Sequence, residues 1–400
     1  MADPHAIEAS LVDADHLLIS DMEPARLGFD FFGAVVHPDA RPDVAQKTVY
    51  LAGDHATLGS LDLRGAARVL VIEELSRGYG SDHERVDLGR VPVRVGNSGV
   101  LYRRFFADAN DYFHRIGAEH TFQALTESTK PSTAHRTGIY LTPVSQEGDA
   151  LRFRLLRCST NLAGPTEGFG ATDEHIVDAL NREAGAIFRD HAPLNHVLAQ
   201  ICNNTPATEQ RKQTKASISA HADKTKDMPR SGIMAFCTFY DGLDKLTPLT
   251  TDPFDLGYKG TSGLTRLRFR LKEAVGERSG LIPAFSVTLY PSSVFFMPLS
   301  TNRLYTHEVQ AASLDAARLP TRLGYVVRCS KTEAVHAAGT PYLDLDGQRV
   351  PLEARTDEGV RALRALYADE NRTDAFIDYG DRFRFSMNEG DYLAPDRKRG

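Results

Sequence analysis

The chain lacks tryptophan, has only 4 cysteines in 400 residues, and contains no long apolar run. No segment approaches the roughly 18 to 20 apolar residues that cross a bilayer, so no membrane partner is expected. The N-terminal stretch "MADPHAIEASLVDADHLLIS" is acidic and lacks the basic start and apolar centre of a signal peptide. No Cys-x-x-Cys pair occurs, which excludes a cysteine zinc site and predicts reduced, buried thiols in a cytoplasmic protein. The cysteines are Cys158, Cys202, Cys237 and Cys329.

Positive charge is also scarce, since the formal net charge is −6 and no long basic run occurs. This balance disfavours a nucleic-acid partner bound mainly through its phosphates, although a local basic groove stays open. The densest basic patch, residues 208–217, is interpreted as a solvated loop. The sequence does not indicate the oligomeric state.

The distribution of strand and helix patterns predicts an α+β protein in three parts. A mixed α/β region is expected over 1–170, a β-rich core over 171–340, and a closing segment with a helix over 341–400. Residues 172–190 form a helical pattern that Thr172 can cap. Its apolar face comprises Ile176, Val177, Leu180, Ala184, Ile187 and Phe188. A second amphipathic helix is predicted at 356–370.

The central region reads as a series of short strands separated by turns. In "LTRLRFRL" (264–271), apolar residues alternate with arginines, which predicts one buried and one wet face. Such spacing is typical of a sandwich or barrel rather than of a parallel sheet with crossover helices. Other strands predicted in this region are "GIMAFCTFY", "FSVTLY", "SVFFMP" and "RLGYVVRCS", and those predicted in the N-terminal region are "ARVLVIEEL", "RVPVRVGNSGVLYRRFF", "HRTGIYLTPV" and "LRFRLLRCS".

A His-x-Asp pair occurs twice in the chain, and composition alone would give about one. The pair His37-Pro38-Asp39 lies in a proline-rich stretch and is interpreted as a turn. In "SISAHADKTK", His221 and Asp223 would point to the same side if the segment is extended. Taken alone, this second pair also suits a surface turn. With a distant histidine it matches the 2-His-1-carboxylate arrangement of non-haem Fe(II) oxygenases, which leaves coordination positions open.

Downstream residues favour the metal-site interpretation. His307, after an apolar strand and a turn, is the candidate for the third ligand. In "TRLGYVVRCS", Arg322 and Arg328 have an even spacing, which directs both to one side of a strand, about 20 Å apart. Two guanidinium groups inside a barrel are costly unless anions meet them, and carboxylates suit their geometry.

These segments in this order resemble the AlkB-like branch of the Fe(II)- and 2-oxoglutarate-dependent dioxygenases. The resemblance rests on "ISAHADKTKDM", "IMAFCTFYDG", "LTRLRFR", "SVTLYPSSVFFMPLSTNRLYTHEV" and "RLGYVVR", and covers about residues 195–332. It implies a double-stranded β-helix, or jelly-roll, core. It further implies that His221, Asp223 and His307 hold Fe(II), that Arg322 pairs with the distal carboxylate of 2-oxoglutarate, and that Arg328 lies nearer the metal.

The chain departs from the family pattern upstream of the His-x-Asp pair. AlkB-like enzymes carry an Asn-x-Tyr that touches the cosubstrate, whereas "QICNNTPATEQ" offers Asn203 or Asn204 with Thr205 in place of tyrosine. The resemblance therefore makes the two asparagines candidates for a cosubstrate contact, without the tyrosine. No recognisable nucleic-acid-binding loop of that family is present.

The implied reaction consumes 2-oxoglutarate and O2, releases succinate, and hydroxylates or oxidatively demethylates a C–H of a small molecule such as a nucleoside, amino acid or biosynthetic intermediate. Two alternatives stay open, namely oxidation of a modified base in nucleic acid and a non-catalytic jelly-roll binding module. Tyr240 and Asn302 are candidates for the pocket wall. The polar stretches 126–140 and 157–175 are either substrate-facing loops or simple connections.

Overall fold

The computed structural model describes residues 7–23, 27–126, 133–157, 162–276 and 280–397. Two longer helices match the predicted segments 172–190 and 356–370, so those predictions are confirmed. Among the described residues, no helix is long and apolar enough to cross a membrane. The α-helices are α1 (His55–Leu58), α2 (Tyr112–Glu119), α3 (Ala171–Ile187), α4 (Leu299–Leu304) and α5 (Asp357–Arg372).

Strands dominate the rest of the chain, which gives a sheet-rich, mixed α/β structure. Those of the N-terminal part are β1 (Ser10–Leu11), β2 (His16–Ser20), β3 (Ala34–Val36), β4 (Thr48–Ala52), β5 (Arg68–Ile72), β6 (Arg85–Val86), β7 (Val93–Val95), β8 (Gly99–Tyr102), β9 (Gln123–Thr126), β10 (Thr133–Thr142), β11 (Ser145–Glu147), β12 (Ala150–Leu155) and β13 (Glu167–Gly168).

The later strands include every one predicted in the central region. They are β14 (Phe188–Arg189), β15 (His196–Cys202), β16 (Ile218–His221), β17 (Ile233–Asp241), β18 (Thr247–Leu249), β19 (Asp252–Tyr258), β20 (Thr261–Ser262), β21 (Arg266–Leu271), β22 (Ala284–Thr288), β23 (Ser293–Pro298), β24 (Tyr305–Gln310), β25 (Thr321–Arg328), β26 (Thr332–Ala337), β27 (Thr340–Leu345) and β28 (Gln348–Pro351).

A parallel sheet in the order β3-β2-β4-β5-β6 occupies the N-terminal part. Sequence patterns identified only β5 among these strands, as "ARVLVIEEL". The others are short, and β2 and β4 are almost entirely buried, so they show no alternation of apolar and polar residues. The parallel sheet is therefore an addition to the predicted architecture.

The main sheet has the order β13-β10-β15-β25-β17-β23-β8-β7, with β9 beside β10, and its strands come from both sides of residue 170. One of its faces packs against α3, because the odd-numbered residues of β25 share a core with that helix. The predicted apolar face of α3 is buried in this core and is thereby confirmed. The other face of the main sheet is called the inner face below.

A second sheet, β16-β24-β21-β22, lies across part of the inner face. The two sheets enclose an apolar core to which β17 and β23 contribute from one side and β21 and β24 from the other. In β21, Leu267 and Phe269 are buried whereas Arg266 and Arg270 are exposed, so the predicted alternation is confirmed. Functional side chains directed between these sheets are shielded from water.

Two local details refine the sequence predictions. Helix α3 begins at Ala171 with Gly170 as its N-cap residue, and the Asp173 carboxylate accepts a hydrogen bond from the Gly170 backbone N–H at 2.8 Å. Thr172 is thus not the cap, and its hydroxyl instead donates to Glu119. Of the cysteines, Cys202, Cys237 and Cys329 are free and buried, whereas Cys158 lies outside the described residues.

Candidate metal centre

Three predicted ligands meet between the two sheets. Strand β16 ends at His221, which is paired in register with His307 of β24, and Asp223 follows two residues later. The Oδ1 atom of Asp223 lies 3.4 Å from Nε2 of His221 and 3.9 Å from Nε2 of His307. The three ligand atoms lie within 4.8 Å of one another. Two imidazole nitrogens and one carboxylate oxygen thus face a common point.

Arg328 forms an ion pair with the second carboxylate oxygen of Asp223, Oδ2. Its Nε donates to Oδ2 at 2.8 Å, and its Nη2 lies 2.7 Å from the same oxygen. Burial alone would raise the pKa of Asp223, but the Arg328 guanidinium and the two histidines hold that pKa well below its usual range. The carboxylate is therefore ionised, with Oδ2 bound to Arg328 and Oδ1 directed toward the histidines.

The two histidines differ in exposure. The side chain of His307 is 4% exposed and lies near the rings of Phe236 and Phe269. Burial, with repulsion from His221, lowers the pKa of His307 to about 3, so its imidazole stays neutral and retains a lone pair. The His221 side chain is 34% exposed, and its Nδ1 lies 2.8 Å from the Ser219 carbonyl oxygen. A hydrogen bond donated by this Nδ1–H leaves Nε2 free as a ligand atom.

Asn302 binds the backbone of Asp223 through two hydrogen bonds. Its Oδ1 accepts from the Asp223 N–H at 2.8 Å, and its Nδ2 donates to the Asp223 carbonyl at 2.9 Å. The Asn302 side chain is buried, and both of its polar atoms are used in this exchange. Asn302 thus acts on the candidate centre through the backbone of Asp223 rather than as an open pocket wall.

Arg322 lies on the same side of β25 as Arg328, in agreement with their even spacing. It is only 7% exposed, and its Nε has no hydrogen-bond partner within the described part of the chain. Among the described residues its side chain makes one weak hydrogen bond, from Nη2 to Sγ of Cys202 at 3.7 Å. A small cavity opens beside it, bordered by Cys202, Asn204 and Thr265. A buried cation without an anion is costly, so this site is suited to an anionic ligand.

The inner face beside Arg322 carries small and polar residues. Gly324 is the next inner-face residue of β25, and a Cβ atom there would lie 2.7 Å from Nη1 of Arg322, so the guanidinium lies over this glycine. Thr238 is directly opposite Gly324 on β17, and Ser293 is opposite Thr238 on β23. Both hydroxyls are buried and have no hydrogen-bond partner among the described residues. The sequence offered no signal for these two residues.

The remaining sequence candidates are placed as follows. Asn203 is exposed, whereas Asn204 borders the cavity beside Arg322. The Asn204 amide is used by the backbone, because Nδ2 donates to the Pro320 carbonyl and Oδ1 accepts from the Ala216 N–H. Tyr240 lies opposite Arg322, and its hydroxyl donates to the Leu289 carbonyl. Of the two candidate loops, residues 127–132 and 158–161 fall outside the described part of the chain.

Two other clusters contain possible ligand types. His37 and Asp39 lie at an exposed 3-10 turn, which confirms their interpretation as a turn. His120 is buried between Asp173 and Glu167, with its two ring nitrogens 2.6 and 2.8 Å from their carboxylate oxygens. Burial lowers the pKa of His120, but these two hydrogen bonds outweigh it and raise the pKa to about 9. A protonated imidazole that donates from both nitrogens has no lone pair for a metal.

The described residues at the candidate centre fit a divalent metal and a dicarboxylate. Two imidazole nitrogens and one monodentate carboxylate suit Fe(II) and leave positions open for further ligands. The Arg322 guanidinium, which forms no ion pair within the described residues, suits a carboxylate held away from the metal. The partial exposure of His221 leaves a side from which small molecules can approach.

No family model matches the sequence, and no curated protein matches it. Among solved structures, that of OsALKBH1 is 11% identical with a TM-score of 0.35, covering 60% of this chain and 99% of its own. The non-heme alpha ketoglutarate dependent epimerase SnoN from nogalamycin biosynthesis is 13% identical, with a TM-score of 0.31 and coverages of 59% and 78%. A prolyl-4-hydroxylase from Pseudomonas putida is 13% identical, with a TM-score of 0.26 and coverages of 55% and 82%.

Proposed function

We propose that this protein is an Fe(II)- and 2-oxoglutarate-dependent oxygenase. The observation that carries the proposal is that the two carboxylate oxygens of Asp223 have different partners. Oδ2 is bound to Arg328, whereas Oδ1 faces the Nε2 atoms of His221 and His307. An internal ion pair would satisfy the carboxylate alone. It would not require the Nε2 atoms of two imidazoles to face the remaining oxygen.

His221, Asp223 and His307 would hold the iron. When bound, iron with 2-oxoglutarate and O2 supplies the oxidation of an unactivated C–H, with one oxygen atom going to the substrate and the other to succinate as CO2 leaves. The protein's residues keep the ligands in the correct ionisation state. Arg328 keeps Asp223 ionised, and burial keeps His307 neutral.

Arg322 would bind the distal carboxylate of 2-oxoglutarate. Its burial without an anionic partner in the described residues and its direction over Gly324 support this role. The Thr238 hydroxyl lies across from that glycine and is available for a hydrogen bond to the same carboxylate or to the chain between the two carboxylates. Asn204 would border the cosubstrate without donating to it, because its amide is already used.

The architecture proposed for the core is a jelly-roll of the AlkB-like kind. The largely antiparallel main sheet and the sheet β16-β24-β21-β22 face each other. The two candidate histidines come from the second sheet, Asp223 comes from the segment after β16, and the two arginines come from the main sheet. The paired arginines on β25, one of them on the ligand carboxylate, support the AlkB-like resemblance of the sequence. The parallel sheet and the N-terminal loops would shape the substrate pocket.

The favoured substrate is a small molecule that is hydroxylated or oxidatively demethylated, because the chain is acidic overall. A modified base in nucleic acid is the alternative substrate. Both share the same chemistry at the metal, and they differ in how binding responds to salt, since phosphate contacts weaken steeply as salt rises.

The first experiment measures succinate formed from 2-oxoglutarate with added Fe(II), with and without candidate substrates. The unsubstituted protein is expected to release succinate, and His221→Ala is expected to abolish the release because one of the three ligands is lost. His37→Ala is the matched control, since it removes an exposed histidine from the other His-x-Asp pair, and it should leave the rate unchanged.

The outcome also separates the alternative functions. A non-catalytic binding module would show neither succinate release nor stabilisation by Fe(II), Mn(II) or Co(II), and this result would disprove the enzyme proposal. Turnover that is stimulated by an oligonucleotide, with strong salt dependence of its binding, would shift the substrate from a small molecule to nucleic acid.

A further inference from the structure

The segment that carries Asp223 leaves the sheet before it reaches that residue. Strand β16 ends at His221, and the residues 222–227 that follow, called the ligand loop here, have no strand partner. Ala222 is fully buried and Asp223 is 8% exposed, so their backbone N–H groups need partners within the protein. The side chain of Asn302 accepts the hydrogen bond of the Asp223 N–H. The N–H groups of Ala222 and Thr225 donate to side chains of the C-terminal helix.

Asn371 ties the two neighbours of Asp223 together. This residue lies in the last turn of α5, and its Oδ1 accepts from the Ala222 N–H at 2.8 Å and from the Lys224 ammonium at 2.9 Å. The Lys224 ammonium also donates to the Tyr367 carbonyl at 3.2 Å. A single side-chain oxygen therefore fixes the chain on both sides of the candidate metal ligand.

Glu370 holds the next residue of the ligand loop. Its Oε1 accepts from the Thr225 N–H at 3.1 Å and from the Thr225 hydroxyl, while Oε2 accepts from the Tyr379 hydroxyl at 2.6 Å. The helix end is itself anchored, because the Lys272 ammonium donates to the carbonyls of Glu370 and Thr373 at 2.7 and 3.1 Å. The carboxyl end of α5 is thus a fixed support for the loop.

We propose that Asn371 is a positioning residue of the metal centre, through which the C-terminal helix sets the direction of Asp223 and His221. The inference rests on the proposed function, since it concerns the same metal. Arg328 already engages Oδ2, so the direction of Oδ1 depends on the backbone that carries it. Groups that orient metal ligands in this way typically contribute about 10- to 100-fold to metal affinity.

The test measures Co(II) binding to metal-free protein by absorbance titration, with thermal unfolding of the same metal-free samples. Asn371→Leu keeps the size of the side chain but cannot accept a hydrogen bond, and it should weaken Co(II) binding about tenfold or more and alter the visible spectrum. Asn371→Asp keeps an acceptor oxygen for both donors and should restore binding close to that of the unsubstituted protein. Asp369→Asn, on the exposed side of the same turn, is the matched control and should change neither property.

Asn371→Ala introduces no larger group and serves as a second variant if the leucine variant does not fold, with the same loss of affinity expected. Unchanged Co(II) affinity and spectrum in a folded Asn371→Leu or Asn371→Ala variant would overturn the positioning role. Failure of the metal centre itself looks different, because the unsubstituted protein and His221→Ala would then bind Co(II) equally.

Discussion

Gly324 determines where the guanidinium of Arg322 lies. The two residues are on the inner face of β25, and the Arg322 side chain bends along its own strand over the glycine. This direction carries the positive charge toward Arg328 and the candidate metal. A side chain at residue 324 would compete with the guanidinium for the same volume.

The first residue-scale prediction is that Gly324→Ala raises the apparent KM for 2-oxoglutarate several-fold with a smaller effect on kcat. The added Cβ would lie 2.7 Å from Nη1 of Arg322, and the flexible guanidinium would move aside at little cost to stability. Arg322→Lys should raise the same KM, because the ammonium loses the fork that matches a carboxylate. Steady-state succinate release measures both.

Gly185→Ala is the matched control, because it adds a methyl group in α3 where no atom lies within 4 Å. It should leave the KM unchanged and stabilise the protein by about 0.5–1 kcal/mol, since alanine favours the helix. An unaltered KM in both Gly324→Ala and Arg322→Lys would remove Arg322 from the cosubstrate site.

At the scale of elements, a buried charge cluster joins α2, β13 and α3. His120 follows α2, Glu167 belongs to β13, and Asp173 lies in the first turn of α3 and also accepts from the Tyr325 hydroxyl of β25 at 2.8 Å. The side chain of His120 has no exposed surface. The protonated imidazole of His120 donates hydrogen bonds to Glu167 and Asp173 and so connects the main sheet to the helices on its outer face.

This cluster predicts a pH dependence of stability. The folded-state pKa of His120, about 9, lies above its ordinary value of 6.5, so its stabilisation is complete below about pH 6.5 and is lost as pH rises through about 9. The free energy of unfolding of the unsubstituted protein should exceed that of His120→Gln by an amount that falls, by on the order of 3 kcal/mol, across this window. Urea unfolding at several pH values measures the difference.

The prediction compares the free energy of unfolding of the unsubstituted protein with that of His120→Gln because Lys272 also titrates in this pH range. Burial lowers the pKa of Lys272 to about 8, which gives the opposite slope, and this contribution cancels in the comparison. A difference that stays constant from pH 6.5 to 9.5 would show that His120 is neutral in the folded protein.

Some of the elements that sequence patterns identified have one buried and one wetter face. Strand β21 and helix α3 are of this kind, so their periodicity is visible in the residue order. Strands β17, β23 and β25 are buried on both faces and were predicted as apolar runs. Strands β2 and β4 are also buried on both faces, but each has only five residues and neither was predicted. The support of Ala222 by Asn371 joins residues 149 positions apart, which no local pattern records.

At the scale of the whole molecule, one buried ion pair connects four distant parts of the chain. Arg157, after β12, donates from Nε to both carboxylate oxygens of Asp227 at 3.1 and 3.2 Å. Asp227 closes the ligand loop and also accepts from the Thr332 hydroxyl at 2.8 Å, while Arg157 Nη1 donates to the Phe383 carbonyl at 3.0 Å. The pair thus joins the ligand loop to strand β26 and to the C-terminal segment.

Asp227→Asn should destabilise the protein by about 3–5 kcal/mol, because it leaves the Arg157 guanidinium buried without its counter-charge. Burial alone would raise the pKa of Asp227, but Arg157 and Lys226 hold it far below its usual range, so the carboxylate is charged at all pH values of interest. Equilibrium urea unfolding measures the loss. Asp62→Asn breaks an exposed pair with Arg64 and should change stability by no more than about 0.5 kcal/mol.

The support of Ala222 and Lys224 by Asn371 also bears on how the protein is made. All three candidate ligands leave the ribosome well before residue 371 is synthesised, yet the loop between His221 and Asp223 lacks its acceptor until α5 has formed and docked. A nascent polypeptide therefore exposes two histidines and an aspartate in an unfinished arrangement. Metal binding at the candidate centre is accordingly expected to follow translation.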